Sequence, residues 1–540
     1  MPVGEGADVD VTVAPVWGLV RAAQAEHPGR FVLLDLEEGE ERDAAVRAAV
    51  ASGEPEAAVR SGRFLVPRLT GTTRPEPPVP DSAGVTGSAA GTVLVTGGTS
   101  GLGALLARRL VTDHGVRSLL LVSRRGLSAE GAAPLVEELT ALGARVGVTA
   151  CDVGDRDALA RVLESVPDSA PLAGVVHAAG TADNGVVEAL SRDRLDTVLR
   201  PKADAAWHLH ELTEDLPLAM FVLVSSAGGL VLAAGQGNYA AANVFLDALA
   251  AHRRSRGLAA TSLAYGLWDV ATGMSSELSG ADRDRLARLG LPALSEADGV
   301  RLFDASVRAG AAMTVPLRVD VAALRGRGGE VPALLRGLVP ARRPVRVAAG
   351  GGGEGGLRRR LTGLDAGERG RMLEELVRRH VAVVLGHASG DAVEPDRAFS
   401  TMGLDSLAAV ELRNQLAAAT GLPLPATLVF DYPTSHGVAE FLHGELFGSA
   451  EPERAEDLPV VGSVADDPVV IVGMACRYPG GVSSPEDLWR LVVGEGDAIT
   501  GFPTNRGWDL EGIYDPDPGR VGRSYTRHGG FLHDADVFDP

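Results

Sequence analysis

From residue 92 to residue 264 the chain alternates short apolar runs with amphipathic stretches, and this alternation restricts the fold more than any other feature. Thr92–Val95, Ser118–Val122, Arg145–Ala150, Ala173–His177, Met220–Ser225 and Ala259–Ala264 have the length and composition of strands. Between them, leucine and valine recur at helical spacing, as at Leu105, Leu106 and Leu110, at Leu159 and Val162, and at Leu195, Val198 and Leu209; a further helix is expected from about Tyr239 to Arg254. Strands joined through helices run parallel, so the pattern predicts a Rossmann-like, doubly wound α/β sheet.

The first strand runs straight into Thr96-Gly97-Gly98-Thr99-Ser100-Gly101-Leu102-Gly103. Glycine at 97, 101 and 103 lets the backbone turn tightly and approach a pyrophosphate, and the following helix N-terminus offers free N–H groups and a positive dipole end. A glycine-rich loop alone is weak evidence. The second strand adds to it by ending in Ser123-Arg124-Arg125, where guanidinium groups meet the adenosine ribose and favour the 2′-phosphate of NADP over NAD.

Lys202 is the only lysine among 51 lysine and arginine residues. A compact, titratable amine kept among arginines marks a position where a fixed planar cation does not serve. Ser226, Tyr239 and Asn243 follow. Reduction of a ketone by hydride needs a proton donor for the developing alkoxide. A tyrosine whose pKa is lowered by a neighbouring ammonium suits that role, with Ser226 donating to the carbonyl and Asn243 one helical turn beyond Tyr239. Taken singly, a turn serine, a rim tyrosine and a helix amide explain these residues as well.

Together they resemble the short-chain dehydrogenase/reductase superfamily, and more closely the ketoreductases of modular type I polyketide synthases. Most of that superfamily has lysine four residues after tyrosine. Here that position is Asn243, and the lysine lies upstream in Arg200-Pro201-Lys202-Ala203-Asp204, as in polyketide ketoreductases. Val222–Ala227, Gly235–Asn243 and Gly266-Leu267-Trp268 also match, and the likeness extends over about residues 15 to 345. It implies Lys202, Ser226, Tyr239 and Asn243 as catalytic residues. It implies cofactor contacts from Thr96, Gly97, Gly98, Thr99, Ser100, Gly101, Leu102, Gly103, Ser123, Arg124, Asp152, Val153, Ala178, Ala179 and Gly180, with Lys202 and Tyr239 holding the ribose of NADPH. Ala182-Asp183-Asn184 is a partial match to the motif of B-type reductases, and Val231 replaces the tryptophan of the opposite class.

A second signature, Met402-Gly403-Leu404-Asp405-Ser406-Leu407, opens a helix whose Leu407, Val410 and Leu416 are expected to face inward. On residues alone an Asp/Ser pair is equally a helix cap. An earlier helix with Leu373, Leu376, Val377, Val381 and Val384, and a last short helix after Phe430-Asp431-Tyr432-Pro433-Thr434, make the segment similar to an acyl carrier protein, a small all-α bundle. That resemblance implies 4′-phosphopantetheine on Ser406, attached by a phosphopantetheinyl transferase, presenting a β-ketoacyl thioester to the reductase. A third segment, from Asp467-Pro468-Val469 through Cys476 and Asn505-Arg506-Gly507-Trp508-Asp509, resembles the opening of a ketosynthase, an α/β thiolase-like domain. The active-site cysteine and histidines of that family come later, so Cys476, His528 and His533 are given no catalytic part.

The expected division is a partial structural subdomain at 1–80, a linker at 81–91, the catalytic ketoreductase at 92–345, a linker at 346–368, the carrier at 369–446, a linker at 447–466 and the truncated ketosynthase at 467–540. Pro- and Gly-rich breaks at Thr70–Gly91, Ala348–Gly356 and Ser449–Asp466 motivate the linkers. The chain thus reads as a section through an assembly line, with upstream and downstream synthase domains as partners and a homodimer in the intact synthase. A net charge of −20 argues against nucleic acid as a partner, and the absence of a long apolar run or an export signal argues against a membrane. Two cysteines suit a reducing cytoplasm, and no metal site is expected, since His208 and His210 do not share a helix face. Two other readings stay open: a reductively inactive fold acting as scaffold or epimerase beside a carrier, and an unrelated dehydrogenase with a C-terminal interaction module.

Overall fold

The computed structural model describes residues 9–71, 91–231, 234–269, 289–326, 331–339, 360–447 and 476–533, apart from single positions within these ranges, together with a few isolated positions between them. The Pro- and Gly-rich breaks at 70–91, 348–356 and 449–466 lie almost wholly outside the described residues, as do Asp467–Ala475 of the third segment and Asp405, whereas 360–368 of the linker expected at 346–368 are described and a helix starts there at Ala366. Two compact units are present, Met1–Glu451 and Pro452–Pro540.

The first unit is built on a seven-stranded parallel sheet. Its strands are β4 (Thr92–Thr96), β5 (Ser118–Ser123), β6 (Arg145–Ala150), β7 (Leu172–His177), β8 (Met220–Ser226), β9 (Thr261–Tyr265) and β10 (Met313–Thr314), in the spatial order β10-β9-β8-β7-β4-β5-β6. The order reverses between β4 and β7, and the crevice beyond the carboxyl ends of those two strands is the place where such a sheet binds a ligand.

Side chains alternate across the sheet with period two. Val93 and Val95 of β4, with Leu119 and Leu121 of β5, pack on Leu106 and Leu110 of α3 (Gly101–Thr112). Leu94, Leu120 and Val122 point to the opposite face, in one core with Val244, Leu246 and Leu249 of α9 (Gly237–Ser255). Both faces are covered, which is why the strands read as continuous apolar runs. On the α3 face the sheet also packs on Phe303 of α10 (Glu296–Ala309).

Residues 9–71 form a smaller lobe: α1 (Ala14–Glu26), β1 (Leu33–Leu36), α2 (Arg42–Ser52), β2 (Glu56–Arg60) and β3 (Arg63–Leu65), with the strands in one three-stranded sheet. Helix α1 lies against α9 so closely that a Cβ at Gly18 would come within 2.3 Å of the Ala240 carbonyl oxygen. That contact is one residue past Tyr239, so the lobe braces the helix that carries it.

The carrier segment has α11 (Ala366–Leu385), α12 (Ser406–Thr420), the turn α13 (Leu428–Asp431) and α14 (Ser435–Phe447). Leu373, Val377 and Val381 pack with Leu412, Leu416, Val438 and Leu442. The last helix is longer than the short one expected, 13 residues, and Phe430-Asp431 belongs to a helical turn of its own. Described residues of the second unit include the helix Pro485–Val493, capped by Ser484, and a two-stranded antiparallel pair, Thr500–Gly501 with His528–Gly529.

Candidate active site

At the switch point the chain is folded to admit a ligand. Gly97 has φ +65°, a left-handed conformation that glycine adopts without strain, and its N–H bonds the Val122 carbonyl at 2.7 Å. A Cβ at Gly103 would fall 2.2 Å from the Gly97 oxygen, so α3 starts directly against the loop. The result is a cleft of about 920 Å³. Of the expected cofactor residues, Gly97, Thr99, Ser100, Ser123, Arg124, Asp152, Val153, Ala179 and Gly180 line it. Thr96 ends β4, Gly101, Leu102 and Gly103 open α3, and these residues, with Gly98 and Ala178, are not among those lining the cleft. Arg125, expected beside Arg124 near the adenosine ribose, and Arg200, not anticipated as a contact, are further lining residues. Backbone N–H groups at a helix start and exposed guanidinium groups at the end of β5 supply donors for phosphate, and the Asp152 carboxylate supplies an acceptor, so the residues fit a nicotinamide dinucleotide.

The four catalytic candidates come together beside this cleft. Gly180 on its wall faces the stem of Lys202, where a Cβ would sit 3.5 Å from Cδ and Cε. Lys202 is 3 % exposed. It lies on a π-helical turn, Arg200–Asp204, inserted between α6 (Arg192–Leu199) and α7 (Ala205–Thr213), and its Nζ donates to the Val224 carbonyl at 2.8 Å. The ammonium is 5.3 Å from the centre of the Tyr239 ring. Ser226 ends β8, with its Oγ accepting from the Gly228 N–H at 3.1 Å. Asn243 donates from Nδ2 to the Tyr239 carbonyl at 2.8 Å, and its buried Oδ1 makes no hydrogen bond among the described residues.

Burial pushes the Tyr239 phenol above its ordinary value, with hydrogen bonding to Ser226 and Asn243 pulling the other way, so the net direction is opposite to that expected from a neighbouring ammonium. Burial acts on the lysine too, bringing it down to about 7, against the opposing charge of Asp247. A phenol that stays protonated is still a proton donor.

His177 was not singled out from the sequence, yet it fixes the lysine turn. It is fully buried, and its Nε2 lies 2.9 Å from the Lys202 carbonyl while Nδ1 lies 2.8 Å from Thr96 Oγ1. A carbonyl only accepts, so Nε2 carries the proton and Nδ1 accepts from the threonine, which in turn accepts from the Ala179 N–H at 3.3 Å. Burial, with Lys202 nearby, brings this imidazole down to about 4 and keeps it neutral. The signal in the sequence was a histidine ending an otherwise apolar strand.

Asp183 is held in a bidentate pair with Arg194, at 2.9 and 2.7 Å. Ser406 is the first residue of α12, where helix N–H groups favour an attached phosphate diester.

The chain's segments match four family models: the KR domain at residues 91–270, the phosphopantetheine attachment site at 375–442, the N-terminal domain of β-ketoacyl synthase at 466–540, and the Rossmann fold domain of polyketide synthase extender module SpnB at 1–69. Two solved ketoreductases, an A-type enzyme from a modular polyketide synthase and an A1-type enzyme, are each 40 % identical, with TM-scores of 0.57 and 0.56; the alignments cover 62 and 63 % of this chain and 71 % of each of theirs. The chain belongs to the modular polyketide synthases. The spectinabilin polyketide synthase system protein NorA' of Streptomyces orinoci is 52 % identical over 98 % of the chain, and the mycoketide-CoA synthase of Mycobacterium tuberculosis is 51 % identical over 84 %. This synthase segment spans only 14 % and 11 % of those two proteins. It combines a ketoreductase domain, a carrier domain and the start of a ketosynthase domain, and no helix among the described residues is long and apolar enough to cross a membrane.

Proposed function

We propose that this segment reduces a carrier-bound β-ketoacyl thioester to the β-hydroxyacyl thioester with NADPH, the acyl chain riding on phosphopantetheine at Ser406. The observation that carries the reading is the single constellation of Lys202, Ser226, Tyr239 and Asn243 set against a cleft with the donor set for a dinucleotide. Bound NADPH supplies the hydride to the β-carbon. Ser226 orients the keto oxygen, and Tyr239 gives its phenolic proton to the alkoxide as the C–H bond forms. Lys202 stabilises the phenolate left behind, and the Asn243 Oδ1 takes part in returning a proton to it. His177 positions Lys202.

The finer parts of this reading are proposals of the same kind: Arg124 on the 2′-phosphate, Asp152 near the adenine, loading by a phosphopantetheinyl transferase, a homodimeric synthase in the cytoplasm, and domain limits as set out from the sequence. The two described thiols, Cys151 and Cys476, are unpaired, which accords with a reducing compartment. Asp183, with Val231 in place of tryptophan, points to a B-type product, whereas the two relatives above are A-type; chiral analysis of the β-hydroxy product distinguishes these.

The test is twofold. Incubation with a phosphopantetheinyl transferase and coenzyme A is expected to add one phosphopantetheinyl group, located on Ser406 by fragmentation, and NADPH is expected to be oxidised with a small β-ketoacyl thioester. Cofactor binding without turnover would favour the scaffold or epimerase reading, and failure to load would sink the carrier. Arg124 has its own expectation. Arg124→Ala removes charge-assisted hydrogen bonds worth about 1.5–3 kcal/mol, so KM for NADPH should rise roughly 10- to 100-fold while NADH kinetics stay nearly constant. Equal effects on both cofactors would place the 2′-phosphate elsewhere.

A further inference from the structure

Helix α1 ends in a way its own sequence does not complete. Its last turn contains no basic residue, and Pro28 follows its C-cap His27, so one N–H that would otherwise be on hand for an orphan carbonyl is missing. Two of the terminal carbonyls are instead met from far away in the sequence. The Arg413 guanidinium donates to the Glu26 carbonyl, and Asn414 Nδ2 donates to the Ala25 carbonyl at 3.1 Å. Both donors are on α12, the helix that Ser406 opens. A cation at the negative end of a helix dipole is a favourable pairing, and Arg413 is buried there with the charges of Glu188 and Glu26 nearby.

Glu26 also faces inward. Its carboxylate, 2 % exposed as a residue, accepts the Gly235 N–H at 2.9 Å on Oε1 and the Val187 N–H at 2.8 Å on Oε2. Those N–H groups belong to the two segments that border the catalytic residues. One carries Asp183 and follows β7; the other leads into Tyr239. They are bonded to each other as well, Gly185 N–H to the Gly235 carbonyl at 2.8 Å and Asn238 Nδ2 to the Asp183 carbonyl at 2.9 Å. Through its carbonyl and its carboxylate, one residue therefore touches both the carrier and the borders of the reductase site.

We propose that the C-terminus of α1 is the landing site for this chain's own carrier domain, gripped by Arg413 and Asn414, with Glu26 as the positioning residue that ties the landed carrier to the two segments flanking Tyr239. The braced lobe then has a part in delivery of the acyl chain as well as in stability. A carrier held at this point presents its arm at high local concentration to one reductase. The proposal rests on the ketoreductase reading above for its catalytic consequence, and on the contact alone for its structural one.

The experiment uses the full chain, wild type against Arg413→Ala and against the milder Asn414→Ala. Loading of Ser406 by the transferase at wild-type rate establishes that the variant carriers are folded. Two rates are then read in single-turnover NADPH oxidation: one for a β-ketoacyl group loaded on Ser406, one for the same acyl group on a small diffusible thioester. Loss of a charge-assisted hydrogen bond corresponds to roughly ten- to a hundredfold, so the carrier-borne rate should fall by that factor in Arg413→Ala, less in Asn414→Ala, with the diffusible rate unchanged. Arg413→Lys, which keeps the charge, should recover part of the loss. Equal rates for the loaded group in wild type and Arg413→Ala would overturn the proposal, as would an equal fall for both substrates. Small-angle scattering gives a readout independent of chemistry. Arg413→Ala should release the carrier and enlarge the radius of gyration. An unchanged radius would overturn the landing site even if the reductase proved active, whereas an enlarged radius in a chain that reduces neither substrate would support the landing site and sink only the ketoreductase reading.

Discussion

Tyr239→Phe is expected to lower the reduction of a small β-ketoacyl thioester by roughly 10²- to 10⁴-fold while leaving NADPH bound, because it removes one oxygen and with it the phenolic proton proposed to go to the nascent alkoxide. The ring stays. Its place within α9 and 5.3 Å from the Lys202 ammonium are preserved by phenylalanine, so a loss of rate cannot be assigned to collapse of the site. Burial raises the phenol above its ordinary value, which suits the proposed role of acid in the reductive direction. NADPH oxidation followed by absorbance, with cofactor fluorescence as the binding control, reads both quantities. A variant retaining a tenth of the wild-type rate would show that the proton comes from elsewhere, with Ser226 and solvent the next candidates.

The sheet was legible because its signal is local. Each strand is an apolar run, each crossover a helical period, and β4 through β9 appear within a residue or two of the positions expected, as with Ala173–His177 against Leu172–His177. Strand β10 was not legible: two residues, Met313 and Thr314, pair with β9 only because the sheet edge is there to receive them. The candidate catalytic residues stand out in the sequence by type and spacing, whereas the devices that place them depend on contacts distant in sequence. The π-turn under Lys202 follows from packing and from the bond of its carbonyl to His177, 25 residues away. Glu26 is 209 residues from the Gly235 N–H it holds, and nothing in its neighbourhood in the chain marks a buried carboxylate. Desolvation acts against the charged form of both Lys202 and Tyr239, and spacing along the chain does not show how deeply either is buried.

Lys202→Met should act in opposite directions on rate and on stability. Removing the cation that stabilises the phenolate is expected to lower turnover by roughly 10²- to 10³-fold. The same change removes an ammonium that the fold buries at a cost. Burial brings its pKa from 10.5 to about 7, and every tenfold change in a protonation equilibrium corresponds to about 1.4 kcal/mol, so folding near neutral pH is disfavoured by about 4 kcal/mol relative to a neutral side chain. Methionine fills a similar volume but leaves the Val224 carbonyl without its donor, which returns about 1–3 kcal/mol of that gain. The net expectation is a reductase domain more stable by about 1–3 kcal/mol at pH 7. The sign of the pH dependence follows from proton counting. Between about 7 and 10.5 the unfolded chain holds the lysine proton and the folded chain does not, so wild-type stability rises with pH across that window and the advantage of the variant shrinks. Below about 7 both states are protonated, and the difference between the proteins stays constant as far as Lys202 is concerned. Thermal unfolding of the two proteins at pH 7 and pH 9 measures this directly, and a gap that fails to narrow at pH 9 would mean that the ammonium is not strained by burial. Because the chain has a single lysine, reductive methylation with a ¹³C label leaves only Lys202 and the α-amino group to be followed by NMR. The titration of Lys202 is therefore observable on its own, and its rise on adding NADPH would register the negative charge that the cofactor brings to the site.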